Sequence, residues 1–177
     1  MAVLNILIAP HPTLSIKTNP VTVIDAEVKQ QIKDMTETMY ADRAIGLAAN
    51  QVGILKRIIV MDVGDDNSLT RDSDPITPKK YCFINPEIEW SSDETLVFEE
   101  ACMSIPGQGI PIERSKSVRV RYLDENGKEK IETFHGLQAR CIQHELDHIN
   151  GKTMLDYLSK LKKEMAIKKL IKHYVSR

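Results

Sequence analysis

The segment Gln143-His144-Glu145-Leu146-Asp147-His148 constrains this chain more than any other. Two histidines four residues apart can aim their ring nitrogens at one ion on a helix, where positions i and i+4 lie one turn above each other. Glu145 is then rotated by about 100° around the helix axis from His144. It sits beside the ion, placed to handle protons rather than to ligate. The pattern from Leu137 to Ile149 is helical throughout, and Asn150-Gly151 supplies a C-terminal stop.

A catalytic site of this kind needs a third protein ligand. The extended zincin pattern H-E-x-x-H-x-x-G-x-x-H is met at Gly151 but ends on Met154, whose thioether is a poor ligand for a borderline divalent ion. Glu164 is the only glutamate after the motif. Attention therefore turns to the three cysteines, at 82, 102 and 141. Cys141 shares the helical face but lies two turns from His148, about 10.5 Å at the helical rise, and reads as a small apolar filler near the site. Cys82 stands in the strand-like Tyr81-Cys82-Phe83-Ile84 and reads as core. Cys102 is the third ligand of choice, in Glu100-Ala101-Cys102-Met103-Ser104-Ile105-Pro106-Gly107, where prolines and glycines begin to break regular structure as a ligand loop would.

The rest of the chain frames this centre. At 177 residues the length suits one compact domain, 1–177, and 42% hydrophobic with 28% charged residues is the balance of an ordinary globular protein. Asp25 predicts the cap of a helix to about Tyr40, with Val28, Ile32, Met35 and Met39 as its apolar stripe. Arg57–Val63 and the run from Tyr81 predict buried strands, and Gly64–Lys80, rich in aspartate and proline, an exposed loop. Val118, Val120 and Tyr122 alternate with arginines ahead of Asn126-Gly127, which predicts a β-hairpin. A last helix starts near Ser159. The fold class expected is α+β: small antiparallel or mixed sheets packed around a central helix carrying H-E-x-x-H, with a C-terminal helix.

An odd, sparse cysteine count argues against a secreted disulfide scaffold and for a reducing compartment. No apolar run reaches membrane-spanning length, and the first residues show neither a basic leader nor a signal-length apolar core, so the expectation is a cytoplasmic protein with no membrane partner. The net charge of −1 hides a split: Lys160–Arg177 carries +6 and the remainder −7. That tail is either a solvated helix face or a contact for an anionic partner.

Three separated segments together resemble the peptide deformylase family. Ala44-Ile45-Gly46-Leu47-Ala48-Ala49-Asn50-Gln51 meets its G-φ-G-φ-A-A-x-Q motif (φ apolar), Glu100-Ala101-Cys102-Met103-Ser104 meets E-G-C-φ-S, and Gln143–His148 meets Q-H-E-x-D-H in full. The departures are Ala44 and Ala101, each in place of a glycine. An arginine that bacterial relatives often place after the second motif is Gly109 here. The resemblance implies removal of the formyl group from formyl-methionyl peptides, with Cys102, His144 and His148 as metal ligands and Glu145 as general base and acid. It assigns the Gln51 side-chain amide and the Met103 backbone N–H to the developing oxyanion. It implies peptide pairing along Ile45-Gly46 and Ala101, and a methionine pocket lined by Phe98, Leu137 and Cys141, with Glu100 and Arg114 as a supporting ion pair. Ferrous iron is the active metal it implies, with zinc, nickel or cobalt able to take the site; ligand softness alone suits zinc. For the basic tail it implies docking on the ribosome, not on DNA. Two other classes stay open on residues alone: a zincin-like endopeptidase, which leaves Cys102 unexplained, and a non-catalytic binding module supported only by Ala44 and Ala101.

Overall fold

The computed structural model describes residues 2–64 and 78–175. Helix α1 (Ala26–Ala41) is followed by strands β1 (Gly46–Ala48), β2 (Ile58–Asp62), β3 (Lys80–Ser91), β4 (Thr95–Cys102), β5 (Ile105–Ser115), β6 (Ser117–Leu123) and β7 (Glu129–His135). Helix α2 (Gly136–Ile149) and helix α3 (Lys160–Leu170) complete it, α3 running into a wider π-helical turn over Ile171–Val175. The α+β class holds, with the H-E-x-x-H helix at its centre. Most of the expected 64–80 loop lies outside the described residues; of its ends, Gly64 is buried and Lys80 already opens β3.

Five strands form an antiparallel sheet in the order β1-β2-β3-β6-β7, and β4 pairs with β5 as a separate two-stranded sheet. Strand β2 is apolar at four consecutive positions because both of its faces are covered. Ile58 and Val60 pack into the core under α1, while Ile59 and Met61 pack into the core under α2, as the period-two alternation of a strand requires. Helix α1 follows its sequence pattern: the Asp25 carboxylate accepts from the Val28 N–H at 2.9 Å, and Val28, Ile32, Met35 and Met39 are buried. A third core joins β5 to the N-terminal segment and α3.

The expected β-hairpin forms between β6 and β7, with Asn126-Gly127 in its five-residue connection from Leu123 to Glu129. There the Asp124 carboxylate accepts from the Asn126 and Lys128 N–H groups at 2.9 and 3.0 Å, and Gly127 takes the left-handed conformation at φ 78°. One expectation is corrected: the irregular ligand loop expected around Cys102 is instead the tip of the β4–β5 hairpin, with Cys102 opposite Ile105. Pro106 and Pro111 fit in β5 because a two-stranded sheet leaves one edge of each strand unpaired.

The N-terminal segment ties the future site together before any helix contributes. Leu7 N–H donates to the Gln51 carbonyl and Ala9 N–H to the Ser104 carbonyl, both at 2.8 Å, so one extended stretch clamps two motif-bearing turns. Cys82 lies in the core under α1, and burial pushes its thiol pKa up to about 12. In the folded protein at pH 8, iodoacetamide should therefore alkylate Cys82 only as fast as unfolding exposes it. Peptide mass spectrometry over time checks this, and rapid native-state labelling would contradict the placement.

Candidate metal centre

Helix α2 can carry the three chemical groups of H-E-x-x-H because its remaining faces are spent on packing. Leu137, Ala139, Ile142, Leu146 and Ile149 go into the core shared with β2, β3, β6 and β7. His144, Glu145 and His148 are left toward the β4–β5 hairpin and β1. His144 Nε2 and His148 Nε2 lie 3.2 Å apart, and Cys102 Sγ is 3.2 Å from His148 Nε2. All three donor atoms fall within 4.8 Å of one another, the one such cluster among the described residues. Burial, then the neighbouring His144 and Arg114, hold the His148 pKa well below the usual imidazole range, so its lone pair is available.

His144 is oriented from behind. Its Nδ1 lies 2.8 Å from Glu100 Oε2, and a carboxylate can only accept, so Nδ1 carries a proton and Nε2 is turned inward. Glu100 is held in turn by Arg114, whose Nε and Nη2 donate to its two oxygens at 2.9 Å each. Burial opposes the Glu100 charge, but hydrogen bonds from His144 and Arg114 outweigh it and hold the carboxyl at about 2. The pair expected between Glu100 and Arg114 is thus not a surface contact: the residues are 6% and 7% exposed. Arg114 Nη1 also donates to Asp147 Oδ2 at 2.7 Å and to the Tyr157 hydroxyl at 2.9 Å.

Glu145 is buried, and burial pushes its carboxyl up to about 7. Its Oε2 has no hydrogen-bond partner. The carboxylate is wedged against Gly46, where a built-in Cβ would stand 2.7 Å from both Glu145 Oε1 and Cys141 Sγ and would force these side chains to shift. Gln51 is likewise fixed. Its Oε1 accepts from the Ala48 N–H at 2.9 Å, which turns Nε2 toward Ser104 Oγ at 3.1 Å and Cys102 Sγ at 3.5 Å.

A cavity of about 410 Å³ opens over these groups. It brings together Gln51, Cys102, Met103, His144 and Glu145 with Ile45, Gly46, Ala101, Leu137 and Cys141; His148 lies beneath, against Cys102. Phe98 stands outside the lining and instead supports the Arg140 guanidinium, 4.6 Å from its ring centroid, which does line the cavity. Two strand edges border the opening. The Asp62 N–H donates to the Ile45 carbonyl at 2.9 Å, so by ladder alternation the Gly46 N–H and C=O point away from β2. Strand β4 has β5 on one side only. Ala44 and Ala101 are accommodated: Ala44 packs beside the α1 core and Ala101 is exposed on β4.

Sequence reasoning missed Arg140, Asp147, Tyr157 and Ser104. Arg140 was legible, since it shares the α2 face with Leu137, Cys141 and His144 at helical spacing. Asp147 lies inside the third motif. Tyr157 carries no sequence signal, because only tertiary packing brings it to Arg114.

A thiol and two imidazoles whose inward atoms crowd to 3.2 Å, with both rings anchored on α2, form a donor set that fits a divalent cation of borderline softness. The buried pair behind it has a stability consequence. Arg114→Met strands the Glu100 carboxylate, and should cost about 3–5 kcal/mol in urea unfolding; a loss below about 1 kcal/mol, the range of exposed pairs, would contradict it.

Against known proteins, a family model described as polypeptide deformylase matches residues 3–164. The chain is 46% identical over 173 residues to the peptide deformylase of Phenylobacterium zucineum, covering 98% of each. It is 45% identical over 174 residues to that of Pseudomonas aeruginosa, again covering 98% of each. Among solved structures, the peptide deformylase of Ehrlichia chaffeensis in complex with actinonin superposes with a TM-score of 0.89 at 41% identity, covering 98% of this chain and 99% of that one. With the matched family spanning both the metal centre and the fold that builds it, the chain belongs to the polypeptide deformylase family.

Proposed function

We propose that the chain works as a single catalytic domain, residues 1–177, that hydrolyses the formyl group from formyl-methionyl nascent peptides and releases formate. One observation carries the reading: three metal-type ligands converge beside a buried, unpartnered Glu145 carboxylate, at a cavity bordered by two open strand edges. Cys102, His144 and His148 are the residues that would hold a divalent ion. Ferrous iron is the metal the family resemblance favours, and zinc, nickel or cobalt would satisfy the same donors. When bound, such an ion supplies Lewis-acid chemistry, polarising a carbonyl and making water acidic enough to ionise near neutral pH.

The protein's own groups supply the rest. The peptide adds as a strand between Gly46 of β1 and Ala101 of β4, which fixes its direction and register. Its methionine side chain enters toward Leu137 and Cys141, the apolar part of the cavity, with Phe98 behind the wall. Glu145 Oε2, raised toward neutrality by burial, accepts a proton from the attacking water and returns it to the departing amine nitrogen. Negative charge developing on the formyl oxygen is met by the Gln51 Nε2 and by the Met103 backbone N–H. Gln51 is ready for that work because Ala48 already holds its carbonyl end. Glu100 and Arg114 act only through His144, keeping its ring in one orientation.

The endopeptidase alternative shares Glu145 and the histidines, so the product decides between them. Formyl-Met peptide should give stoichiometric formate with no internal cleavage. Glu145→Gln should retain bound metal by elemental analysis while losing at least about a hundredfold in kcat, the range of general acid–base catalysis. Wild-type turnover in Glu145→Gln would remove the residue from the mechanism.

No helix among the described residues is long and apolar enough to cross a membrane, and from the proposed reaction on nascent chains we infer a cytoplasmic protein. Helix α3 buries only Ala166 and Leu170. Lys160, Lys162, Lys168 and Lys169 on it, and Lys172 in the turn beyond, are left exposed. We propose that this face contacts the ribosome. Truncation after Ser159 should abolish co-sedimentation with ribosomes at low salt, and full-length binding should fall steeply as salt rises; unchanged binding would remove the contact.

A further inference from the structure

Arg140 is a cation without an acceptor. It is half-buried in the cavity wall, one turn before His144 on α2, and its guanidinium rests on the Phe98 ring at 4.6 Å. None of its donors meets a hydrogen-bond acceptor or a carboxylate among the described residues, although Asp42, Glu99 and Glu100 line the same cavity. Each of these acids is kept from it for a visible reason. Glu100 is held by Arg114 and His144. Glu99 follows Phe98 on β4 and so projects from the opposite face, where its side chain fills the space over Gly109. Asp42 stands at the C-cap of α1, its backbone N–H bonded to the Thr38 and Tyr40 carbonyls, and no ion pair joins its carboxylate to Arg140. The mouth holds a second cation, Arg43, exposed and in the left-handed region at φ 54°.

We propose that Arg140 is a specificity-determining residue that binds a carboxylate side chain on the third residue of the substrate peptide. The reading rests on the deformylase function, with the peptide lying as a strand beside β4. Phe98 is four residues from Cys102 along that strand, about 13 Å at the rise of extended chain. A peptide whose formyl group lies at Cys102 carries its third residue about 10 Å along the strand, and an extended glutamate side chain spans the rest of the way to the Arg140 guanidinium. Side chains of residues one and three share a face, so when the methionine enters toward Leu137 and Cys141 of α2, the third side chain also faces α2 and meets Arg140. The Phe98 ring holds the guanidinium plane and lets its edge donors point to the ligand, the geometry in which arginine takes a carboxylate with two parallel bonds.

The test compares formate release from formyl-Met-Ala-Glu, formyl-Met-Ala-Ala and formyl-Met-Ala-Lys by the metal-loaded enzyme, with formyl-Met-Glu-Ala as the register control. The Glu peptide should exceed the Lys peptide by about tenfold in kcat/KM, as a charge-assisted hydrogen bond provides. The difference should lie in KM and shrink as ionic strength rises. In Arg140→Leu the ratio should fall to near one, and Arg140→Lys should restore part of it. Because each ratio is measured within one variant, loss of folded enzyme cancels. Phe98→Leu should lower the ratio by freeing the guanidinium. Equal kcat/KM for the Glu and Lys peptides, a ratio unchanged in Arg140→Leu, or an acidic preference at the second residue instead would each overturn the proposal. Absence of formate from every peptide would instead sink the deformylase reading, and this one with it.

Discussion

The Glu100 carboxylate joins the two halves of the molecule that the chemistry needs. It projects from β4, two residues before Cys102, and accepts from Arg114 on β5 and from His144 on α2. Cys102 and the histidines belong to separate sheets and helices, and nothing in their local structure obliges them to meet. A buried charge that must be paired on both oxygens does oblige them, because either partner's absence leaves an unsolvated carboxylate. The ion pair therefore holds the hairpin carrying the thiol against the helix carrying the imidazoles. Asp147 and Tyr157 extend the same network outward through Arg114, so the backing of His144 reaches the turn that follows α2.

Around that link the site is built from edges and close approaches. Strands β1 and β4 are both edge strands, and an open edge is usually a hazard because it offers unpaired backbone groups to any other chain. Here residues of both, Gly46 of β1 and Glu99–Cys102 of β4, line the cavity over the metal-type cluster. The absence of a side chain at Gly46 lets the β1 backbone come against the Glu145 carboxylate and the Cys141 thiol. Arg140 then closes the far end of the groove with a charge that the protein itself leaves unanswered.

Much of this was legible residue by residue. The α1 stripe, its Asp25 cap, the buried β2 and the helical run of α2 followed from period and capping, because short-range sterics and burial of one face dominate there. The two histidines and Glu145 were legible because H-E-x-x-H encodes its own geometry once helical, and Cys102 by its context among the three cysteines. The β4–β5 hairpin was not. Its strands contain prolines, glycines and charged residues that argue against a central strand, and they form a sheet only because each needs one partner. The Asn126-Gly127 turn was identified, but the Asp124 carboxylate, not the dipeptide alone, set its width.

By itself the sequence determined which atoms could do chemistry: two imidazoles and a carboxylate at fixed helical offsets, and three cysteines of which only one stood in an unexplained context. Those are local facts, fixed by covalent spacing and the helix repeat. Tertiary structure decided what surrounds them. It made Glu100–Arg114 a buried clamp rather than a surface pair, drew Tyr157 into the network, and put Phe98 behind Arg140 instead of in the cavity wall. Each of these depends on which elements pack together, and burial and the loss of competing water give the contacts their strength.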